Sequence, residues 1–136
     1  MKLSDLFDYE PYFRSKEKIL RAVKNSKKYS QEDLTKAEIA KFFQTSKQRT
    51  YLVKTEKMIY CVLDDRRKDQ PIVSWSEPLE EFVIDDEVRV SLTTSDRTET
   101  TGVINFGPKH NNWLYSKTLF SDQDITQAVE HLLKKK

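Results

Sequence analysis

Six apolar residues in a row, Met58–Leu63, stand between the charged segments Thr55–Lys57 and Asp64–Asp69. The run is far shorter than the roughly 20 apolar residues of a membrane span. As a strand it is apolar on both faces, which suits the middle of a sheet rather than its edge. The segment 64–71, DDRRKDQP, reads as a charged turn closed by proline, and Ile72–Trp75 as the returning strand.

Beyond this hairpin the apolar period stays near two. Segments 82–84, 88–94, 98–106 and 113–116 read as strands, with Val88, Val90 and Leu92 sharing one face. Asp85, Asp86 and Glu87 read as turn formers between two of them. Ser121 is placed to cap a final helix carrying Ile125, Val129, Leu132 and Leu133, and the terminal lysines suit its C-terminal dipole.

Before the hairpin the period reads as helical. Leu6, Phe7, Tyr12 and Phe13 suggest an aromatic arm packed on the body. Ser15 precedes a helix with the stripe Ile19, Leu20 and Val23. Thr35 with Glu38 forms a capping-box pattern ahead of Ile39, Ala40 and Phe43. Ser46 is then a cap for a second helix, 47–54. The expected fold class is α+β: N-terminal helices with a helix-turn-helix-like pair, then an antiparallel sheet closed by a C-terminal helix. The expected division is a helical region, 1–76, and a β region with the last helix, 77–136, or one continuous domain.

Leu34, Thr35, Glu38, Ile39, Ala40, Phe43, Ser46, Arg49 and Leu52 together resemble the pattern of winged helix-turn-helix DNA-binding proteins. The resemblance covers 34–54 and the hairpin after it. Two positions depart from the pattern: Gln44 stands at the turn where glycine is usual, and Thr50 where Val or Ile is usual. The resemblance implies a small DNA-binding protein, a regulator or an accessory factor. Ser46 would open the recognition helix, and Lys47, Gln48 and Arg49 would face the major groove. Lys54 would sit near phosphate, with Arg66, Arg67 and Lys68 on the wing.

Charge supports that polarity. Residues 1–70 carry 17 basic and 11 acidic side chains (17 − 11 = +6), and residues 71–136 carry 7 and 11 (7 − 11 = −4). Only the N-terminal half therefore suits a polyanion. The second half would pair two copies as a homodimer or contact another protein. A competing reading places residues 50–136 in one antiparallel sheet closed by the last helix, somewhat like a pleckstrin-homology-type barrel. The chain would then be a non-enzymatic protein-interaction module, with the N-terminal helices as an annex.

Reactive chemistry is scarce. Cys61 is a lone thiol inside the apolar run and reads as a small buried hydrophobe. His110 and His131 lack partners at metal-ligand spacing. Two glycines leave no Gly-rich phosphate loop. No enzyme, metal or other cofactor is expected. Basic and aromatic residues interleave at Lys109, His110, Asn112, Trp113 and Lys117, which makes 107–117 a candidate ligand loop. With no long apolar stretch, the expected location is the cytoplasm, away from membranes.

Overall fold

The run Met58–Leu63 lies within β3 (Met58–Asp65), an inner strand of a four-stranded antiparallel sheet. The sheet is a meander of β1 (Glu38–Gln44), β2 (Gln48–Lys54), β3 and β4 (Ile72–Pro78). The computed structural model describes residues 16–26, 32–85, 87–89, 91–106 and 111–134. The expected aromatic arm lies outside them.

The expected helical pair over 34–54 is absent. Its place is taken by a one-turn 3-10 helix, Leu34–Lys36, and the hairpin β1–β2. Even the cap differs: Asp33 Oδ1, not Thr35, accepts the capping bond, from Thr35 N at 2.9 Å. The physical reason is visible in β1. Ile39, Ala40, Phe42 and Phe43 are all buried, a spacing that mimics a helix face. Two-sided burial produces it: Ile39 enters one core and Ala40 and Phe42 the other, and a register irregularity between Lys41 and Phe43 falls where Phe42 and Phe43 are both buried. Ile39, Phe42, Phe43, Thr50, Tyr51 and Val53 are also strand-favouring types. The fold is thus mostly β, with one short early helix, α1 (Lys16–Lys24), and a longer last one, α2 (Asp122–Lys134).

Three hairpin turns share one device. Thr45 Oγ1 accepts from Gln48 N at 3.0 Å, Thr55 Oγ1 from Met58 N at 3.0 Å, and Thr98 Oγ1 from Thr101 N at 2.9 Å. In each, the threonine N–H donates back to the carbonyl of the residue three positions on, at 2.8, 2.9 and 2.9 Å. The hydroxyl satisfies a turn N–H without a left-handed residue. Among the described non-glycine residues only Asp85 has positive φ, at 51°.

After a 3-10 turn, Leu79–Glu81, come the short pair β5 (Val83–Ile84) and β6 (Glu87–Val88). The expected strand 88–94 is divided between β6 and β7 (Thr93–Asp96). Asp86 and Val90 lie outside the described residues. β7, β8 (Thr101–Phe106) and β9 (Asn111–Ser116) form a second, three-stranded antiparallel sheet. β9 lies beside β1. There Ser116 Oγ accepts from Gln44 N at 2.9 Å and donates to Gln44 O at 3.4 Å.

The four-stranded sheet is buried on both faces. One face contributes Ala40, Phe42, Leu52, Ile59 and Cys61 to a core shared with Ile104, Trp113 and Tyr115 and with α2. From α2 come Ile125, Ala128, Val129, Leu132 and Leu133. Each large aliphatic side chain among them contributes about 1.5–3 kcal/mol on burial. The other face, with Ile39, Tyr51, Val53, Tyr60 and Val62, packs under Ile19, Ala22 and Val23 of α1. Ser121 caps α2 as expected, its Oγ accepting from Asp124 N at 3.1 Å. Tyr115 Oη donates to Asp122 Oδ1 at 2.5 Å and ties the helix start to β9.

Two substitutions test this packing. Thr55→Val keeps the shape but leaves Met58 N and Glu32 Oε2, its 2.7 Å partner, without the hydroxyl. Denaturant titration is expected to show a loss of about 1–2 kcal/mol; an unchanged midpoint would refute the turn argument. Gly102 faces the Tyr115 ring, and an added Cβ would fall 2.6 Å from Cε1 and closer still to Cζ. Gly102→Ala should therefore cost about 1–3 kcal/mol through overpacking, read as a lower Tm.

Candidate functional site

The residues expected to meet DNA separate into two groups. Arg49 and Lys54 lie in β2 and are structural. Arg49 is 4% exposed, and its Nη1 donates to Gln48 O at 3.1 Å and to Thr45 O. No duplex could reach it. Lys54 is 7% exposed, at the far end of β2, and its Nζ donates to Leu133 O at 3.4 Å. It meets the C-terminal carbonyls of α2, where a cation is favoured by the helix dipole.

The second group converges. Ser46 and Lys47 form the β1–β2 turn and Gln48 starts β2, while Arg66, Arg67 and Lys68 lie in the β3–β4 connection. In a meander these two connections fall at the same end of the sheet. Arg66 fastens them together: its N–H donates to Lys47 O at 2.8 Å and its Nη1 to Ser46 O at 3.2 Å. Lys47, Gln48, Arg66, Arg67 and Lys68 are all exposed there.

Not all of that charge faces outward unopposed. Arg67 grips Asp65 through Nε–Oδ1 at 2.9 Å and Nη2–Oδ2 at 2.8 Å, and its backbone N donates to Oδ1 at 3.0 Å. These hydrogen bonds hold the Asp65 carboxyl well below the usual carboxylate range. Arg67 is thereby neutralised locally; Lys47, Arg66 and Lys68 are the other exposed cations of the end, where Asp65 and Asp69 are the acids of the same connection. Beneath them, Lys41 on β1 donates to Gln44 Oε1. Burial, with the Arg49 charge adding to it, lowers the Lys41 ammonium to about 8.

The candidate ligand loop disperses. Lys109 and His110 lie outside the described residues. Trp113 is 1% exposed, its ring centroid 3.9 Å from that of Phe42. Phe42 in turn stacks on Phe120 at 5.1 Å. Trp113 is therefore core. Asn112 accepts from Asn105 Nδ2 at 2.5 Å across the β8–β9 pair. Lys117 pairs with Asp96 at 2.5 Å, a contact that raises its pKa.

Cys61 is 2% exposed, and burial pushes its thiol up to about 12, which leaves no thiolate at neutral pH. Among the described residues no group of three or more His, Cys, Asp or Glu side chains could hold a metal ion. Among them, too, no helix is long and apolar enough to cross a membrane.

One feature escaped the sequence. A groove of about 620 Å³ runs between β4 and α1. Ala22, Asn25, Pro71, Ile72, Ser74 and Trp75 line it. A smaller hollow beside Lys18, Arg21 and Pro71 continues it toward the start of β4. The only local signal was the cationic flank of α1, where Lys16, Lys18, Arg21 and Lys24 face one acid, Glu17 (4 − 1 = +3).

Lys41 predicts a pH dependence. Below about 8 it is charged in both states, and the folded protein bears the full cost of its burial. Between about 8 and 10.5 the folded form has lost the proton and the unfolded form still holds it, so the cost fades. Relative to Lys41→Met, the wild type should gain stability as pH rises through that window. Paired denaturant titrations near both limits measure this difference, and contributions from Cys61 and Tyr115 cancel. A difference that stays flat or falls contradicts it.

Comparison with known protein families, with curated proteins and with solved structures finds no match to this chain.

Proposed function

We propose that this chain is a non-enzymatic interaction module that presents the basic end of its sheet to an acidic partner. The observation that carries the reading is the fastening of the two turns by Arg66, which holds Lys47, Arg66 and Lys68 together at one end of the sheet. Charges held in fixed relative positions lose less entropy on meeting a partner than charges on loose loops. Arg49, Lys54, Cys61 and Trp113 are all buried.

The single sheet expected over 50–136 is not what forms: the first sheet begins at Glu38 and the strands divide among three sheets, so the barrel likeness is one of element order alone. A four-stranded meander, then a three-stranded sheet, then a helix closing the core resembles the pleckstrin-homology-type arrangement. That likeness is an analogy of architecture, and the function rests on the surface.

Duplex DNA is the second reading, favoured by the +6 balance of residues 1–70 (17 − 11). Without a recognition helix, contact would be to phosphates only and would not depend on base sequence. One experiment addresses both readings. The wild type and Lys47→Ala/Arg66→Ala/Lys68→Ala are compared on immobilised heparin and on two unrelated short duplexes over a salt series. The wild type should be held by heparin at low salt and the triple variant released earlier. If DNA is the partner, both duplexes bind alike and the variant lowers the salt slope by roughly 3. Absence of retention on heparin and duplex alike at low salt would end the proposal.

A further inference from the structure

β3 is buried from Met58 to Asp64 with one exception, Leu63, which is 38% exposed. Its cross-strand partner on β4 is Ile72, 55% exposed. Strand alternation sets Leu63 on the face of Ile59 and Cys61, whose side chains enter the core shared with α2. At Leu63 and Ile72 that cover has ended. Cross-strand neighbours on one face stand about 4.5–5.5 Å apart, so the two branched side chains make one apolar surface.

The pair lies in a hollow of about 130 Å³ that Gln48, Asp65, Lys68 and Gln70 also line. Lys68 sets this hollow against the basic turns, and Gln48 follows Lys47 directly. A cavity of roughly 150 Å³ holds a benzene, so this one suits a single aliphatic side chain.

We infer that the hollow over Leu63 and Ile72 takes one aliphatic side chain of an acidic peptide segment, whose carboxylates on either side meet Lys47, Arg66 and Lys68. This rests on the reading of the basic end as the face offered to an acidic partner, and names that partner's chemistry.

Charge selects the flanking groups. The turn 45–49 and the connection 64–70 hold Lys47, Arg49, Arg66, Arg67 and Lys68 against Asp64, Asp65 and Asp69 (5 − 3 = +2). Asp64 is buried opposite Arg49 in the β2–β3 register. Asp65 has both carboxylate oxygens held by Arg67. The two acids that line the hollow are thus committed within the chain, and the surplus at this end is positive. Leu63 and Ile72 select the anchor. A nucleic-acid backbone would answer the cations and leave this apolar pair facing phosphate and water, whereas a peptide answers both.

The test uses the full chain, carbon-13 labelled at its methyl groups, titrated at low salt with two synthetic pentapeptides. One carries a leucine between two pairs of glutamates, and the other a serine in its place. The leucine peptide should move the Leu63 and Ile72 methyl signals and bind about tenfold more tightly than the serine peptide. Leu63→Ser/Ile72→Ser should bind the two peptides alike while heparin still holds it, because its cations are intact. Ile72→Ser alone, at the more exposed position, should narrow the preference, and unmoved Leu52 and Ile59 methyl signals show that the fold persists. Lys47→Ala/Arg66→Ala/Lys68→Ala should weaken both peptides. Equal binding of the two peptides to the wild type, or methyl shifts confined to other residues, overturns the inference; with heparin retention kept, the basic-end reading survives it. Loss of heparin retention and of both peptides ends the two together. Methyl shifts at Leu63 and Ile72 that follow protein concentration without peptide would place a second copy on the hollow and likewise overturn the inference.

Discussion

The hydroxyl of a threonine at the mouth of a hairpin sets the geometry on which the rest depends. This chain has two glycines, so left-handed turn residues are scarce. Thr45, Thr55 and Thr98 each accept a turn N–H instead and close their hairpins with ordinary backbone. Turn geometry fixes strand register, and a slip of one residue would exchange the two faces of a strand. The meander can tolerate no such slip, because its faces enter different cores. Leu52, Ile59 and Cys61 must meet α2 and the second sheet, while Tyr51, Val53 and Tyr60 must meet α1.

That two-sided burial also governs what could be read from the sequence. Met58–Leu63 was legible as an inner strand because a strand covered on both faces shows a continuous apolar run. The returning strand at Ile72 and the final helix with its Ser121 cap were legible for equally local reasons. The segment 34–54 was not. Two-sided cover of β1, with a register irregularity between Lys41 and Phe43, gives a buried pattern at 39, 40, 42 and 43 that periodicity cannot distinguish from a helix. The polar cluster Thr45–Lys47 compounded this, because a hydroxyl accepting a backbone N–H two or three residues on serves a hairpin turn as well as a helix start. Gln44 and Thr50, the two departures from the helix-turn-helix pattern, were the residues pointing toward strands.

Individual cations were legible by type but not by fate. Lys47 was expected on a recognition helix and Arg66, Arg67 and Lys68 on a wing; they lie instead in two β-turns that Arg66 joins. Arg49 and Lys54 sit in the same stretch yet serve the backbone, since strand alternation and the path of α2 decide which way each side chain points. Long cationic side chains are well suited to such duties: they bury an apolar stem and bring donors to carbonyls that would otherwise lack them. A basic run therefore overstates the charge offered to a partner, and only the placement of the second half of the chain shows by how much.

The two end strands of the meander are covered differently. β1 has β9 alongside. In β4, Ile72 and Ser74 are exposed while Ser76 and Glu77 are buried. A register irregularity beside Val73 breaks the even alternation of the strand. Prolines at 71 and 78 bracket it, and because proline donates no ladder bond they set the limits of its pairing.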